Sequence, residues 1–447
     1  MTALPRLLRP AAAGALLALV LLLSAAPAQA TKIEKVVSPG GIVAWLVEDH
    51  LNPIITMHFA FRGGAALDPM GKEGLANMVA GLLDEGAGDL DSKAFQQTLE
   101  DLSITLRFED GRDSFGGKLQ TLTHNRDRAF DLARLAMTGP RFDAEPVERI
   151  RAQIAAKLRQ DQTDPDAVAG RTLMGALFPD HPYGRPSDGT LESVAKLTVD
   201  DLRAFVGRRL AKDTLFIAVF GDITAKDLAP LLDRTFGALP AKAAPWKIPE
   251  VAAKADGRVL VVEKPIAQSN ILFADRGIKR DHKDFYAAYV MNHILGGGGF
   301  TSRLYTEVRE KRGLAYSVYT YLHPLDSTAL MVGGAGTANE RAAETLKVVR
   351  DEWRRLAEKG VTAEELTNAK RFLTGSFPLR FTSSQNMAAM VLGMQMEDLG
   401  IDYLDKRNKL IEAVTVADIK RVAANLLHPD RLVFTVVGQP AGVTATQ

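Results

Sequence analysis

Two short apolar runs, Leu215–Phe220 and Leu432–Val437, read as buried strands because they concentrate β-branched and aromatic side chains. Each follows a stretch that opens Thr-x-x-Asp, with Thr198 and Asp201 before the first run and Thr415 and Asp418 before the second. A Thr with an acid three residues on marks a helix N-terminus, since each side chain can satisfy a backbone N–H of the first turn. The unit is therefore a capped helix feeding a strand, and it occurs twice. At one gapless offset of 217 residues, Thr198 matches Thr415, Asp201 matches Asp418 and Leu210 matches Leu427. Asp213, Leu215, Val219 and Gly221 likewise match Asp430, Leu432, Val436 and Gly438.

Earlier parts of the copies correspond too. Phe142-Asp-Ala-Glu and Val361-Thr-Ala-Glu each open a long helical stretch, and Gly41–Glu48 and Gly257–Glu263 each begin a copy with a strand-like segment. Strands mixed with helices in each copy predict an α+β fold of two homologous halves. The expected boundaries are 31–240 and 257–440, with a linker at 241–256 rich in Ala, Pro and Lys, and a tail at 441–447. Two halves on a linker are expected to form a clamp around a shared cavity, a common place for a binding site.

The N-terminus adds an address. Arg6 and Arg9 precede an apolar run from Ala11 to Ala26, and Ala-Pro-Ala-Gln-Ala ends at Ala30. This reads as a secretory signal peptide over 1–30, cut after Ala30; the alternative is an uncleaved anchor. The mature chain is expected to be exported, to the periplasm or beyond, with no membrane association after cleavage. Basic and acidic side chains number 55 and 54. That balance argues against a nucleic-acid partner, which calls for a clustered basic excess. Cysteine is absent, which excludes disulfides, thiolate metal sites and cysteine nucleophiles.

Five motifs then occur in order: Phe61-Arg-Gly-Gly-Ala, Gly71-Lys-Glu-Gly-Leu, His181-Pro-Tyr-Gly-Arg-Pro-Ser-Asp-Gly, Leu295-Gly-Gly-Gly-Gly-Phe-Thr-Ser-Arg-Leu and Val308-Arg-Glu-Lys-Arg-Gly-Leu-Ala-Tyr-Ser-Val. In this order and spacing the chain resembles the pitrilysin/insulinase family of zinc peptidases, in the short-chain subgroup that includes mitochondrial processing peptidase subunits. The resemblance spans residues 32 to 440 and implies halves built on mainly antiparallel sheets with helices. Active members carry His-x-x-Glu-His on the helix after the Gly-Leu segment. Two His four apart share one helix face and bind zinc, and the Glu polarises the metal-bound water. Aligned on that motif, the two His positions hold Ala76 and Ala80, the Glu position holds Val79, and the distant third ligand position holds Lys157. None of the eight His residues forms an i, i+4 pair. The expectation is no metal or cofactor on this chain.

The resemblance also implies a retained device. Active relatives use an Arg and a Tyr seven residues apart to hold a substrate carbonyl and stabilise the developing oxyanion. Arg309 and Tyr316 have that spacing. Read without the family, Arg309 is a surface ion-pair partner and Tyr316 a half-buried strand residue. Gly296, Gly297, Gly298 and Gly299 form either a tight turn or a substrate-contact loop; the Gly-Lys-Ser/Thr ending of a phosphate loop is missing. The expected function is a non-catalytic subunit of an exported heterodimeric zinc metallopeptidase. A homologous partner carrying His-x-x-Glu-His would supply zinc, and a peptide would be the substrate. The alternatives are a non-enzymatic peptide-binding or structural protein of the same fold, and a metallopeptidase with unrelated ligands.

Overall fold

A computed structural model describes residues 32–446. The segment expected as a signal peptide lies outside the described residues. Among the described residues, no helix is long and apolar enough to cross a membrane.

Six strands form the first sheet: β1 (Glu34–Val37), β2 (Val43–Glu48), β3 (Ile54–Arg62), β4 (Thr105–Asp110), β5 (Ser114–Leu122) and β6 (Leu215–Gly221). Five form the second: β7 (Val259–Glu263), β8 (Gln268–Arg276), β9 (Ala315–Leu325), β10 (Thr328–Ala338) and β11 (Val433–Gly438). The first sheet runs β1-β2-β6-β3-β5-β4 and the second β7-β11-β8-β10-β9. Apart from the added β1, the two orders are the same, with β6 and β11 in equivalent places. In each, that strand pairs parallel to the first strand of the shared order and antiparallel to the next, and the remaining pairs are antiparallel. The two apolar runs that define the repeat are thus interior strands, which explains why they lack polar alternation.

The repeated local signals have repeated causes. Thr198 and Thr415 both make reciprocal capping boxes with Asp201 and Asp418. Gly221 and Gly438 both end their strands at positive φ, +128° and +151°. A Cβ on Gly221 would stand 2.0 Å from the Ile54 carbonyl oxygen, and one on Gly438 2.8 Å from Ser269 Oγ.

Helices pack on both sheets, and one helix from each half crosses to the other. They number α1 (Leu75–Ala80), α2 (Ser92–Asp101), α3 (Arg126–Thr138), α4 (Ala144–Asp161), α5 (Pro165–Leu177), α6 (Leu191–Ala195), α7 (Val199–Arg209), α8 (Ala225–Phe236), α9 (Phe285–Asn292), α10 (Ala342–Lys359), α11 (Ala363–Gly375), α12 (Ser384–Met396), α13 (Tyr403–Glu412) and α14 (Val416–Leu426). Leu173 and Leu177 of α5 bury against Ala274, Leu330, Val332 and Val433 of the second sheet. Met387 and Val391 of α12 bury against Val47 and Ala218 of the first. Polar ties fix each crossing: Asn270 Nδ2 donates to Asp166 Oδ1 of α5 at 2.5 Å, and Gln395 Nε2 of α12 to the Ile217 carbonyl at 2.7 Å.

The β4–β5 and β9–β10 turns also meet. The Tyr183 hydroxyl donates to Asp113 Oδ1 at 2.7 Å and accepts from Ser327 N–H at 3.0 Å, while Asp326 N–H donates to Asp113 Oδ2 at 3.0 Å. His181 lies 3.0 Å from the Pro249 carbonyl through Nε2. The His181-Pro-Tyr183 motif therefore fastens one half to the other.

Candidate functional site

Helix α1 is short and apolar on most of its circumference. Gly74 precedes it at φ +90°, and the buried Asp68 carboxylate receives the Gly74 and Ala76 N–H groups at 3.0 and 3.2 Å. Burial pushes Asp68 up to about 7, against those two donors. A carboxyl whose folded pKa is raised brings stability that is full below its unfolded value near 4 and is lost as pH rises through the folded value. Melting curves from pH about 4 to about 8 should show Asp68→Asn gaining on the wild type as pH rises. A pH-independent difference would overturn burial as the cause.

The helix rotation corrects the sequence alignment of the metal positions. Ala76 and Val79 are 0% exposed and belong to the core of the first half. A side chain at either position faces sheet and helix rather than an open site. The face that lines a cavity is Asn77, Ala80 and Gly81, with Asp110 of β4 and Ile150 and Gln153 of α4 opposite. These three positions have the same i, i+3, i+4 spacing, moved one residue along. Ala80 remains in the set, at the position where the motif has its Glu rather than its second His. Asn77 Nδ2 donates to Asp110 Oδ1 at 3.1 Å, and Ile150 Cγ2 stands 3.1 Å from where a Cβ on Gly81 would be.

The donor set does not suit zinc in either frame. An amide, a methyl and a glycine offer at most one weak ligand, and Ile150 occupies the room an imidazole at 81 would need. Lys157, on α4, is largely exposed and gives its ammonium to Asp161 Oδ2 at 2.7 Å; that hydrogen bond raises its pKa, so the charge is retained. Among the described residues, no three His, Asp or Glu side chains are grouped to hold a metal.

Arg309 and Tyr316 do come together. Arg309 lies in a π-helical turn, Tyr305–Glu310, a rare geometry often found at functional sites. The chain then reverses at Gly313, φ +59°, and enters β9. The Arg309 guanidinium donates to the Tyr316 carbonyl at 3.0 Å and sits 4.4 Å over the Tyr316 ring and 5.1 Å from the Tyr305 ring. Tyr316 is 81% exposed. Phe300 packs edge-on to Tyr305 at 4.9 Å, so the pair sits in an aromatic cluster that the spacing alone did not reveal. Arg312 is spent elsewhere, at 2.6 Å from buried Glu307. Burial works to raise the Glu307 carboxyl, but Lys311 and Arg312 prevail and hold it at about 2.

The four glycines are closely packed at one end and open at the other. A Cβ on Gly296 would meet Thr320 Oγ1 at 2.5 Å, one on Gly297 Asn292 Nδ2 at 2.6 Å, and one on Gly298 the His293 carbonyl at 2.7 Å. Only Gly299 has open space, and it takes φ +56°. Gly296 and Gly297 let the chain lie against Thr320 of β9 and Gly298 lets it close over His293, which favours the tight turn over a substrate-contact loop.

With this geometry in view, similarity to known proteins is informative. Residues 196–373 match the family model described as the peptidase M16 inactive domain. The chain is 32% identical over 335 residues to the non-peptidase homolog YmxG of Helicobacter pylori, covering 74% of this chain and 77% of that protein. It is 30% identical over 308 residues to an uncharacterized zinc protease of Streptomyces coelicolor, covering 67% and 66%. The crystal structure of a peptidase M16 inactive domain from Pseudomonas fluorescens superposes with a TM-score of 0.86 at 29% identity, covering 93% of this chain and 99% of that one. The relatives thus include a protein named as a non-peptidase, and the ligand positions here carry no zinc donors. The chain belongs to the M16 family of peptidases, the pitrilysin/insulinase family.

Proposed function

We propose that the chain is the non-catalytic subunit of an exported heterodimeric zinc metallopeptidase. A homologous partner bearing His-x-x-Glu-His holds the zinc, and this chain contributes half of the substrate chamber together with Arg309 and Tyr316. The observation that carries this reading is the asymmetry between the halves. The metal face of α1 has lost every strong donor, while the second half keeps a guanidinium and an exposed phenol side by side. Both are hydrogen-bond donors suited to a carbonyl oxygen that gains negative charge. Arg309 uses one of its five N–H groups on the Tyr316 carbonyl, and that bond fixes its orientation.

Reconstitution tests the reading. The mature chain alone should hydrolyse an unstructured reporter peptide no faster than buffer. Mixed with a zinc-bearing homologue of the same fold, it should give hydrolysis that a chelator abolishes. If the zinc-bearing chain works as fast without it, the chain is a scaffold or a peptide-binding protein instead.

A further inference from the structure

A second cavity, of about 360 Å³, adjoins the Asn77 face; Asp188 on its wall acts electrostatically on both Asp110 and Lys157. Its walls include Arg112 from the β4–β5 turn and Arg171 and Met174 from the crossing helix α5. Among the described residues these two arginines bond only to backbone carbonyls: Arg112 to Tyr183 and Arg185 at 2.7 and 3.3 Å, Arg171 to Asp161 and Ala167 at 2.6 and 3.4 Å. The other charges on the wall are largely matched, Asp161 with Lys157 and Arg185 with Glu73. On the wall that leaves two guanidinium groups and one unmatched carboxylate, Asp188; Asp113, behind the wall, also acts on Arg112 but accepts from the Tyr183 hydroxyl and the Asp326 N–H. Burial lowers the Arg112 pKa, so its charge is held where solvent supports it poorly.

An aromatic stripe continues from this cavity. Tyr319, Tyr321 and His323 alternate along the edge strand β9 and so share one face of the sheet. The two tyrosine rings stack at 6.2 Å, and His323 meets Tyr321 at 6.0 Å. They lie on the face that α5 covers: Tyr319 feels the charge of Asp166 on α5, and His323 that of Arg112. Helix α5 packs over β11 and β8, and Tyr319 and Tyr321 remain 43% and 44% exposed. Gly334 on β10 makes room for the first ring, since a Cβ there would lie 2.7 Å from the Tyr319 hydroxyl.

We propose that the cavity and stripe form one subsite for an extended peptide segment carrying a carboxylate, resting on the peptide-binding role proposed above. The carboxylate docks between Arg112 and Arg171, whose planar donor forks match its two oxygens. The flanking apolar side chains lie on Tyr319 and Tyr321. The carboxylate belongs either to an acidic side chain or to a peptide C-terminus.

Fluorescence anisotropy on the full mature chain tests this with a labelled unstructured peptide made four ways, with a central Glu or Gln flanked by Leu and Phe, and a free or amidated C-terminus. The Glu peptide should bind about tenfold tighter than its Gln twin if the side chain is read, corresponding to about 1.4 kcal/mol. The free C-terminus should bind better than the amide by the same factor if the terminus is read. Arg171→Gln should erase the preference, so that the charged and uncharged peptides bind alike. Arg171→Lys, which keeps the charge and loses the fork, should retain part of it. Tyr321→Ser should weaken all four peptides equally. Equal binding of all four peptides to the wild type overturns the subsite, as does a preference that survives in Arg171→Gln. A chain that binds none of them lacks the subsite too; assistance to a zinc-bearing partner is read separately, by the hydrolysis of the mixture.

Discussion

Tyr316→Phe in a complex with a zinc-bearing homologue should lower turnover by roughly 10²–10³-fold, the range seen when one oxyanion donor is removed. The substitution takes away only the phenolic oxygen. The ring stays to carry the stacking of Arg309 at 4.4 Å, and the bond from Arg309 to the residue-316 carbonyl is a main-chain contact that the substitution leaves intact. Folding and assembly should therefore be preserved. On the proposed role the lost donor acts on charge that appears in the transition state, so kcat should fall while KM moves little. Arg312→Ala serves as the control, because that guanidinium is already committed to Glu307. A Tyr316→Phe complex that assembles and turns over at the wild-type rate would remove this chain from the chemistry.

Val391→Asp should destabilise the whole molecule by about 3–5 kcal/mol, as expected for a charge left without a partner in the interior. Val391 is 1% exposed and packs with Met387 against Val47 and Ala218, which belong to the other half. The lesion lies in the second repeat, yet its effect should reach the first. Hydrogen exchange should show amides of β6 losing protection along with those of α12. Denaturant midpoints measure the size of the effect. A loss confined to residues 384–396, or smaller than about 1 kcal/mol, would mean that the crossing helix does not hold the first sheet.

Parts of this architecture were legible because their causes are local. A Thr-x-x-Asp cap, an apolar strand and a strand-ending glycine each follow from the chemistry of a few neighbouring residues, so their repetition at one offset reported the repeat. Arg309 and Tyr316 were singled out by the seven-residue spacing that the resemblance supplied; the reversal at Gly313 that brings them together is seen only in the structure. The metal face was misplaced by one position. Spacing alone fits two helical frames, and the clue lay in the apolar pattern: Leu75, Ala76, Met78, Val79, Leu82 and Leu83 make the core side, which leaves Asn77 and Gly81 outward. The glycine run was ambiguous because its constraint, Thr320, lies on another element. The crossing of α5 and α12 has no local signal, for nothing in either helix states which sheet it will cover.

That crossing has a consequence for how such a chain can exist at all. A single repeat, cut free, would expose the sheet face its sibling normally covers and would extend a helix with nothing to lie on. It would gain a complete interior only by meeting a second copy, and its stability would then rise and fall with protein concentration. Joining the copies in one chain makes the encounter intramolecular, with an effective concentration in the millimolar range for a short tether. A folded state that would otherwise vanish on dilution thus becomes independent of how few molecules are present.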